Sequence, residues 1–300
     1  MTQTVENIEP VENIEIELVE PEYTELYIGF TRYLYLIDDV KSSLMLSILD
    51  HQREEALYWA YELYFSGIHL ETFCLLQNMA STKYTTKCTR FVDKQTELWQ
   101  NNRDHYWILG TIVWYLCERP NSIGGFVKEY CKDQDLIAKM SSTPTTEISR
   151  TTTRITVILE EKDVMKYVNM ETTTPRYLLT HPSLTKYRVR NYCATIFEND
   201  HAEIDRETLL RLYREHWMYF ACTSPLWWKR IRKHGGKMDN ANEKVVFDDD
   251  DTRTDAFYEK YYYDTDEQPA HIMELRFPET KQWTWNDFYE NYSTLAHSKR

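Results

Sequence analysis

The chain has 300 residues, of which 42% are hydrophobic and 28% are charged, and this composition excludes a protein that is disordered overall. Its formal net charge is -13, so binding of nucleic acid requires a local cluster of cations that overcomes the average repulsion. Only 7 glycines are present, which argues against phosphate-binding loops and many-turned β folds and favours helices.

Six cysteines are spread along the chain without a Cys-x-x-Cys pair. In a chain of this length that spacing indicates reduced thiols rather than a disulfide framework. The sequence contains neither a signal peptide nor an apolar run long enough to span a bilayer. We therefore expect a soluble intracellular protein that makes no contact with a membrane.

Residues 1–25 form an acidic segment with a near repeat, Val5-Glu6-Asn7-Ile8-Glu9 followed by Val11-Glu12-Asn13-Ile14-Glu15. Glutamates alternate with isolated aliphatic residues, a pattern typical of a flexible tail. The alternative is a short linear motif that docks into a partner. A second, polar tail is predicted for residues 293–300.

A helical hairpin is predicted between Leu36 and Gly67. Asp38 and Asp39 are typical of a helix start, and aliphatic residues follow them at helical spacing. A polar break leads into a second helix rich in aromatic residues. Gly67 stands where a helix requires a left-handed residue at its carboxyl end.

The hairpin belongs to a predicted N-terminal helical subdomain, residues 26–140. Further helices are expected over Leu70–Met79, Val92–Trp99 and Arg103–Cys117. The polar, lysine-containing stretch Ser81–Thr89 is expected to be a loop or a frayed helix end.

Residues 141–154 are rich in serine and threonine and predict a linker. They lead into a C-terminal helical subdomain, residues 155–292. Its predicted elements are a helix over Asp205–Phe220, a helix that begins at Ser224-Pro225 and ends at Gly235-Gly236, an extended piece at Lys244–Phe247, and a helix capped by Thr254-Asp255. The predicted fold class is mainly α, with helical hairpins packed as an irregular, HEAT-like array and few short strands.

Several segments in this order resemble an uncharacterised protein family shared by large nucleocytoplasmic DNA viruses, such as those of algae and amoebae. The segments are Ile37-Asp38-Asp39-Val40, Glu55–Gly67, Ser224-Pro225-Leu226-Trp227, Ile231–Gly236, Phe257–Tyr261 and Asp266-Glu267-Gln268. The resemblance spans most of the chain and implies a viral protein that acts in an infected cell or in a particle. It brings no catalytic residues and names no reaction.

No sequence motif for an enzyme is present, since the chain lacks a Walker loop, Gly-x-Gly-x-x-Gly, His-Glu-x-x-His and Gly-x-Ser-x-Gly. His201, Glu203 and Asp205 could form a metal trio, although acids beside an imidazole are more typical of a helix start. Cys88 or Cys193 could act as a nucleophile, but nothing in the sequence places a base beside either. We expect no enzyme activity, no metal and no cofactor.

One dense basic stretch combines aromatic residues and cations, as surfaces that bind nucleic acid do. Its candidate residues are Trp227, Trp228, Lys229, Arg230, Arg232 and Lys233. A smaller set comprises Lys186, Arg188 and Arg190. The alternative for the basic stretch is a short helix whose tryptophans are core and whose cations favour its carboxyl end. A contact of this helix with a predicted acidic turn at Asp248–Asp251 is an equal alternative.

The second helix of the hairpin fits the tyrosine, four-residue gap, leucine and hydrophobic pattern with which translation scaffolds bind a cap-binding protein. Its candidate partner-binding residues are Tyr58, Leu63 and Tyr64. The same spacing describes an amphipathic helix packed into its own core.

These observations lead to a primary hypothesis and an alternative. The primary hypothesis is a non-enzymatic viral scaffold that binds viral or host proteins, as a virion component or in gene expression and translation initiation. Its expected location is the host cytoplasm or viral factory, or the virion. The alternative is an accessory protein that binds RNA or single-stranded DNA through the Trp227–His234 helix.

Overall fold

The computed structural model describes residues 28–121, 138, 158–168, 206–248, 250–261, 270, 273 and 276–277. Within them the helices are α1 (Ile37–Leu49), α2 (Arg53–Phe65), α3 (His69–Lys83), α4 (Thr86–Asn101), α5 (Trp107–Cys117), α6 (Glu161–Val164), a 3-10 helix (Met165–Tyr167), α7 (Arg206–Ala221), α8 (Pro225–Lys233) and α9 (Asp250–Tyr261). Two strands, β1 (Gly236–Asp239) and β2 (Lys244–Phe247), form an antiparallel hairpin. This part of the chain is 70% helical, which confirms the mainly-α prediction, whereas the HEAT-like arrangement stays a prediction.

Helices α1 and α2 form the predicted hairpin, and every residue of α1 is buried. Leu36 rather than Asp38 occupies the position before the first helical residue. The reason is local pairing, because Leu36 forms a β-bridge with Phe30 and the Ile37 amide donates to the Gly29 carbonyl at 2.9 Å. The two aspartates lie in the first turn instead, where the helix dipole stabilises their negative charge.

Gly67 ends the hairpin in the left-handed region, with φ at 89°, as the sequence predicted. A Cβ at this position would lie 2.8 Å from the Cβ of Pro225, the first residue of α8. Glycine is therefore required for the backbone turn and for the close approach of α8.

The predicted loop or frayed end at Ser81–Thr89 is mostly helical in the structure. Helix α3 continues to Lys83 and α4 begins at Thr86. The stretch is polar because α4 exposes one side, while Cys88, Val92, Thr96 and Trp99 recur at helical spacing on its buried side.

The buried residues form two hydrophobic clusters. The first contains α1 to α5 together with Leu159, Val164 and Tyr167. The second contains α7, α8, β2 and α9 together with Ile28, Phe30, Leu34 and Leu36. The predicted linker and both predicted tails lie outside the described residues, so the division into subdomains stays a prediction.

A buried ion pair connects the chain segments around the hairpin. Arg32 Nε lies 2.8 Å from Glu62 Oε2, and the two side chains are 2% and 0% exposed. The other guanidinium nitrogens of Arg32 donate to the carbonyls of Tyr167 and Val168, at 2.7 and 3.1 Å. The second carboxylate oxygen of Glu62 accepts the Tyr33 amide at 3.0 Å. Both charges are therefore matched by hydrogen bonds, which a buried ion pair requires.

Further hydrogen bonds join the second cluster to the end of α2 and to the segment that precedes α1. Ser224 Oγ donates to the Ser66 carbonyl at 2.8 Å, and Trp227 Nε1 donates to the Thr31 carbonyl at 2.9 Å. Arg276 Nε donates to the Tyr33 carbonyl at 2.7 Å. The start of α8 is thus fixed by the segment that precedes α1 and by the end of α2.

In the second cluster one sequence prediction is wrong and another is confirmed. Helix α9 begins at Asp250, so Thr254 and Asp255 lie inside the helix rather than capping it. The predicted extended piece Lys244–Phe247 is β2, and its partner β1 directly follows α8. His216 interrupts the helical geometry of α7, and its Nδ1 lies 2.8 Å from the Glu243 carbonyl in the β-hairpin turn.

Candidate nucleic-acid interface

The candidate interface is α8, whose ends are set by local sequence. Ser224 has an extended backbone and Pro225 occupies the first turn, where proline is well accommodated. Gly235, with φ at 81°, follows the carboxyl end. Both predicted ends of the helix are confirmed, although the Ser224 hydroxyl donates to Ser66 instead of capping α8.

The residues of α8 divide into a buried and an exposed side. Trp227 and Ile231 are fully buried. Lys229, Arg232 and Lys233 are exposed, and at about 100° per residue they fall within an arc of about 100° opposite the buried pair. The exposed side of the helix is therefore entirely cationic.

Arg230 is separate from this exposed group. Its guanidinium carbon lies 4.7 Å from the ring centroid of Trp227 and 4.7 Å from that of Tyr261. Arg230 therefore makes cation–π contacts with a ring of α8 and a ring of α9, and these contacts stabilise the packing of the two helices. The structure thus supports the core interpretation for Trp227 and Arg230.

Trp228 lies at the edge of the exposed side and is half-buried. The guanidinium carbon of Arg232 lies 5.6 Å from its ring centroid. An indole and a guanidinium plane therefore lie side by side at the surface, and both groups stack on nucleobases in protein–RNA complexes.

The local charge differs from that of the whole chain. Residues 225–248 contain six lysines and arginines and three carboxylates, so their net charge is +3 in a chain of -13. Within the described part of the chain, no carboxylate lies within ion-pair distance of Lys229, Arg232 or Lys233, whereas Arg53 and Lys166 pair with Glu118 and Glu54.

The predicted acidic turn Asp248–Asp251 is wrong in its second half, because helix α9 begins at Asp250. The first residue of the turn does not pair with α8. Asp248 Oδ1 pairs with Lys237 Nζ of β1 at 2.6 Å. The hydrogen bond from Lys237 lowers the pKa of Asp248 below its usual value. His234, at the end of α8, has a lowered pKa because of burial and because of Lys260 and Lys233 nearby. The lysines thus make this end of α8 electropositive.

The predicted partner-binding residues of α2 lie in the core. Tyr58 and Leu63 are fully buried. Tyr64 is half-buried, and its hydroxyl donates to the Arg103 carbonyl at 3.0 Å and accepts from Trp99 Nε1 at 3.2 Å. Helix α2 packs between α1 and α5, so both of its sides are covered. This placement supports the core interpretation of the tyrosine–leucine pattern and leaves Tyr58 and Leu63 no surface for a partner.

Other chemistry has little support in the described residues. The grooves there include one of about 530 Å³ between α7 and β2 and one of about 430 Å³ at the start of α2. The thiols of Cys117 and Cys222 are buried, which raises each pKa to about 12 and disfavours the reactive thiolate. Cys88 is buried and lies 3.4 Å from the Thr85 hydroxyl.

Several sequence candidates lie outside the described residues. They are the trio His201, Glu203 and Asp205, the cysteine Cys193, and the basic set Lys186, Arg188 and Arg190. Among the residues that the structure does describe, no group of three His, Cys, Asp or Glu side chains could hold a metal ion.

Sequence reasoning missed a second cationic surface, on α4. Lys87, Arg90 and Lys94 are exposed and share one side of the helix. Their spacing of three and four residues was the available signal. The signal is hidden when the helix is predicted to begin only at Val92, because Lys87 and Arg90 then lie outside it and only Lys94 lies within it.

Comparison with known proteins gave no match: no family model matches this chain, and no curated protein or solved structure does. Among the described residues, no helix is long and apolar enough to cross a membrane.

Proposed function

We propose that this protein is a non-enzymatic binding protein that binds single-stranded RNA or DNA through the exposed side of α8. The observation that carries the proposal is the set Lys229, Arg232 and Lys233, which is exposed and lacks carboxylate partners in the described structure, beside the half-buried Trp228. Cations that no carboxylate neutralises are available to phosphates.

In the proposed complex, Lys229, Arg232 and Lys233 contact phosphate groups and a base stacks on the ring of Trp228. Stacking on an aromatic ring contributes about 1–3 kcal/mol per base and tolerates any base. A single-stranded ligand fits this arrangement because its bases are free to leave their own stack. The expected binding is therefore salt-dependent and weakly sequence-specific.

The test is fluorescence anisotropy of labelled single-stranded RNA and DNA titrated with the full chain over a range of salt concentrations. The variant K229Q/R232Q/K233Q removes three cations from α8. The matched control K87Q/R90Q/K94Q removes three exposed cations from α4 and changes the net charge equally. For three lost phosphate contacts, we expect the slope of log K against log salt to fall by about 2 in the α8 variant, and to stay unchanged in the control.

Two results would overturn the proposal. One is binding that does not weaken as salt rises. The other is an equal loss of affinity in the α8 variant and the α4 control, because binding would then follow net charge and not the α8 surface. Circular dichroism of both variants checks that the fold is intact.

A scaffold function remains a second proposal, with a different surface from the predicted one. Helix α4 carries three exposed cations and the exposed side chain of Leu98, which is 47% exposed. Mixed cationic and apolar surfaces suit acidic protein segments. The setting of an infected cell, in the cytoplasm, viral factory or virion, rests on the sequence resemblance alone and is proposed with it.

A further inference from the structure

The exposed side of α4 has a regular pattern. Lys87, Arg90, Lys94 and Leu98 are all exposed and at about 100° per residue fall within about 80° of one another. At about 1.5 Å rise per residue, Lys87 and Lys94 lie about 10 Å apart along the helix axis. Three cations and one leucine thus form a strip, which we call the α4 strip.

Nothing in the described part of the chain occupies the α4 strip. The nearest carboxylates in sequence are those of Asp93 and Glu97. Asp93 accepts a hydrogen bond from Gln77 Nε2 at 2.9 Å, and neither acid forms an ion pair with a described cation. The exposed Leu98 distinguishes the α4 strip from α8, whose exposed side carries cations only.

The amino-terminal segment has the complementary composition. Residues 1–25 contain eight glutamates and no lysine or arginine. Within its repeat, aliphatic residues recur at every third position, as Val5, Ile8, Val11 and Ile14. Glutamates recur at the same interval, as Glu6, Glu9, Glu12 and Glu15.

We propose that the α4 strip binds the acidic amino-terminal segment of this same chain, through residues 5–15. The α4 strip requires a ligand that brings carboxylates to its cations and an aliphatic side chain to Leu98. In a polyproline II helix, which has three residues per turn, the glutamates lie along one side and the aliphatic residues along another. Its rise of about 3.1 Å per residue places successive glutamates about 9 Å apart. That distance matches the separation of Lys87 and Lys94.

The length of the segment allows this contact. Residue 28 is the first that the structure describes, and an extended chain covers about 3.3 Å per residue. The twelve residues between position 15 and position 28 therefore span up to about 40 Å, comparable to the diameter of a domain of this size. The proposal concerns a different surface from α8, so its failure leaves nucleic-acid binding untouched.

The test is zero-length carbodiimide cross-linking of the full chain at low salt, followed by mass spectrometry of the cross-linked peptides. The reagent joins lysines to carboxylates that are in contact. We expect amide links from Lys87 and Lys94 to glutamates between positions 6 and 15, with yields several times those of links to Lys229 and Lys233. A mixture of ¹⁴N- and ¹⁵N-labelled protein separates links within one chain from links between two copies.

Arg90→Glu is the decisive variant, because it reverses the central charge of the α4 strip without removing either reactive lysine. We expect the yields at Lys87 and Lys94 to fall severalfold. The matched control is Arg232→Glu on α8, which changes the net charge equally and leaves the yields unchanged. Glu6, Glu9, Glu12 and Glu15 are tested separately by conversion to glutamine, which keeps their size.

Three results would overturn the proposal. The first is a yield at Lys87 and Lys94 no greater than at Lys229 and Lys233, which indicates random collision. The second is a yield that Arg90→Glu leaves unchanged. The third is exclusive linkage between differently labelled copies, which assigns the α4 strip to self-association instead.

Discussion

Helices α2 and α8 both carry aromatic residues, but the structure uses them differently. In α2 the side chains from Ala56 to Leu63 are all buried, so the helix has no free side along that stretch. In α8 only Trp227 and Ile231 are buried, and the opposite side is cationic. One helix is core and the other is half surface.

Aromatic content alone therefore does not indicate a binding surface. Tyr61 of α2 has hydrogen-bond partners inside the fold: its hydroxyl donates to the Tyr106 carbonyl at 3.1 Å and accepts the Gly110 amide at 3.1 Å. Burial raises the pKa of Tyr61 well above its ordinary value. What distinguishes α8 is the positive charge of its exposed residues, Lys229, Arg232 and Lys233.

The largest loss of stability is expected when the buried ion pair between Arg32 and Glu62 of α2 is broken. Glu62→Ala leaves the guanidinium of Arg32 buried and without its carboxylate, and losing one partner of a buried pair costs about 3–5 kcal/mol. We expect chemical denaturation to show that loss in the free energy of unfolding. Lys233→Ala on α8 is the exposed control and should change stability by less than about 0.5 kcal/mol.

If Glu62→Ala and Lys233→Ala have equal effects, the ion pair is not a structural link. Glu62→Gln tests the charge separately, because it keeps the size of the side chain and one acceptor oxygen for the Tyr33 amide.

A second expectation concerns the leucine of the supposed partner-binding pattern. Leu63 is fully buried, whereas Leu98 of α4 is 47% exposed. Truncation to alanine in a core costs about 2–5 kcal/mol, and we expect this loss for Leu63→Ala from urea denaturation. Leu98→Ala is the matched control, with a change below about 0.5 kcal/mol. A folded Leu63→Ala variant of parental stability would reopen the possibility that α2 is a binding surface.

Much of the helical fold could be predicted because apolar spacing and helix ends are local signals. The hairpin, Gly67, the start of α8 at Ser224-Pro225 and its end at Gly235 are all found in the structure. Each depends on residues within one or two turns, which is the range over which caps and periodicity act.

The features that sequence reasoning missed depend on distant residues or on a wrong boundary. Strand β1 exists because Lys237 and Met238 pair with β2, which no local pattern of Gly236–Asp239 indicates. Arg32 and Glu62 are 30 positions apart, and neither residue type predicts burial. The common side of the α4 cations is hidden when the start of the helix is predicted too late.

The smallest expected effect compares two arginines within α8. The guanidinium carbon of Arg230 lies 4.7 Å from each of two ring centroids, those of Trp227 and Tyr261, whereas Arg232 is exposed and its guanidinium carbon lies 5.6 Å from the ring centroid of Trp228. A cation–π contact contributes about 0.5–2 kcal/mol, increasing with burial. We therefore expect Arg230→Met to lower the free energy of unfolding by about 1 kcal/mol and Arg232→Met to leave it nearly unchanged.

The same two variants divide in the opposite direction in nucleic-acid binding. Anisotropy with single-stranded RNA should show weaker binding for Arg232→Met and near-parental binding for Arg230→Met, since only Arg232 is free to reach a phosphate. Opposite rankings in stability and in binding would separate the structural side of α8 from its binding side. If Arg230→Met is the more damaging variant in both stability and RNA affinity, α8, like α2, acts only as part of the core.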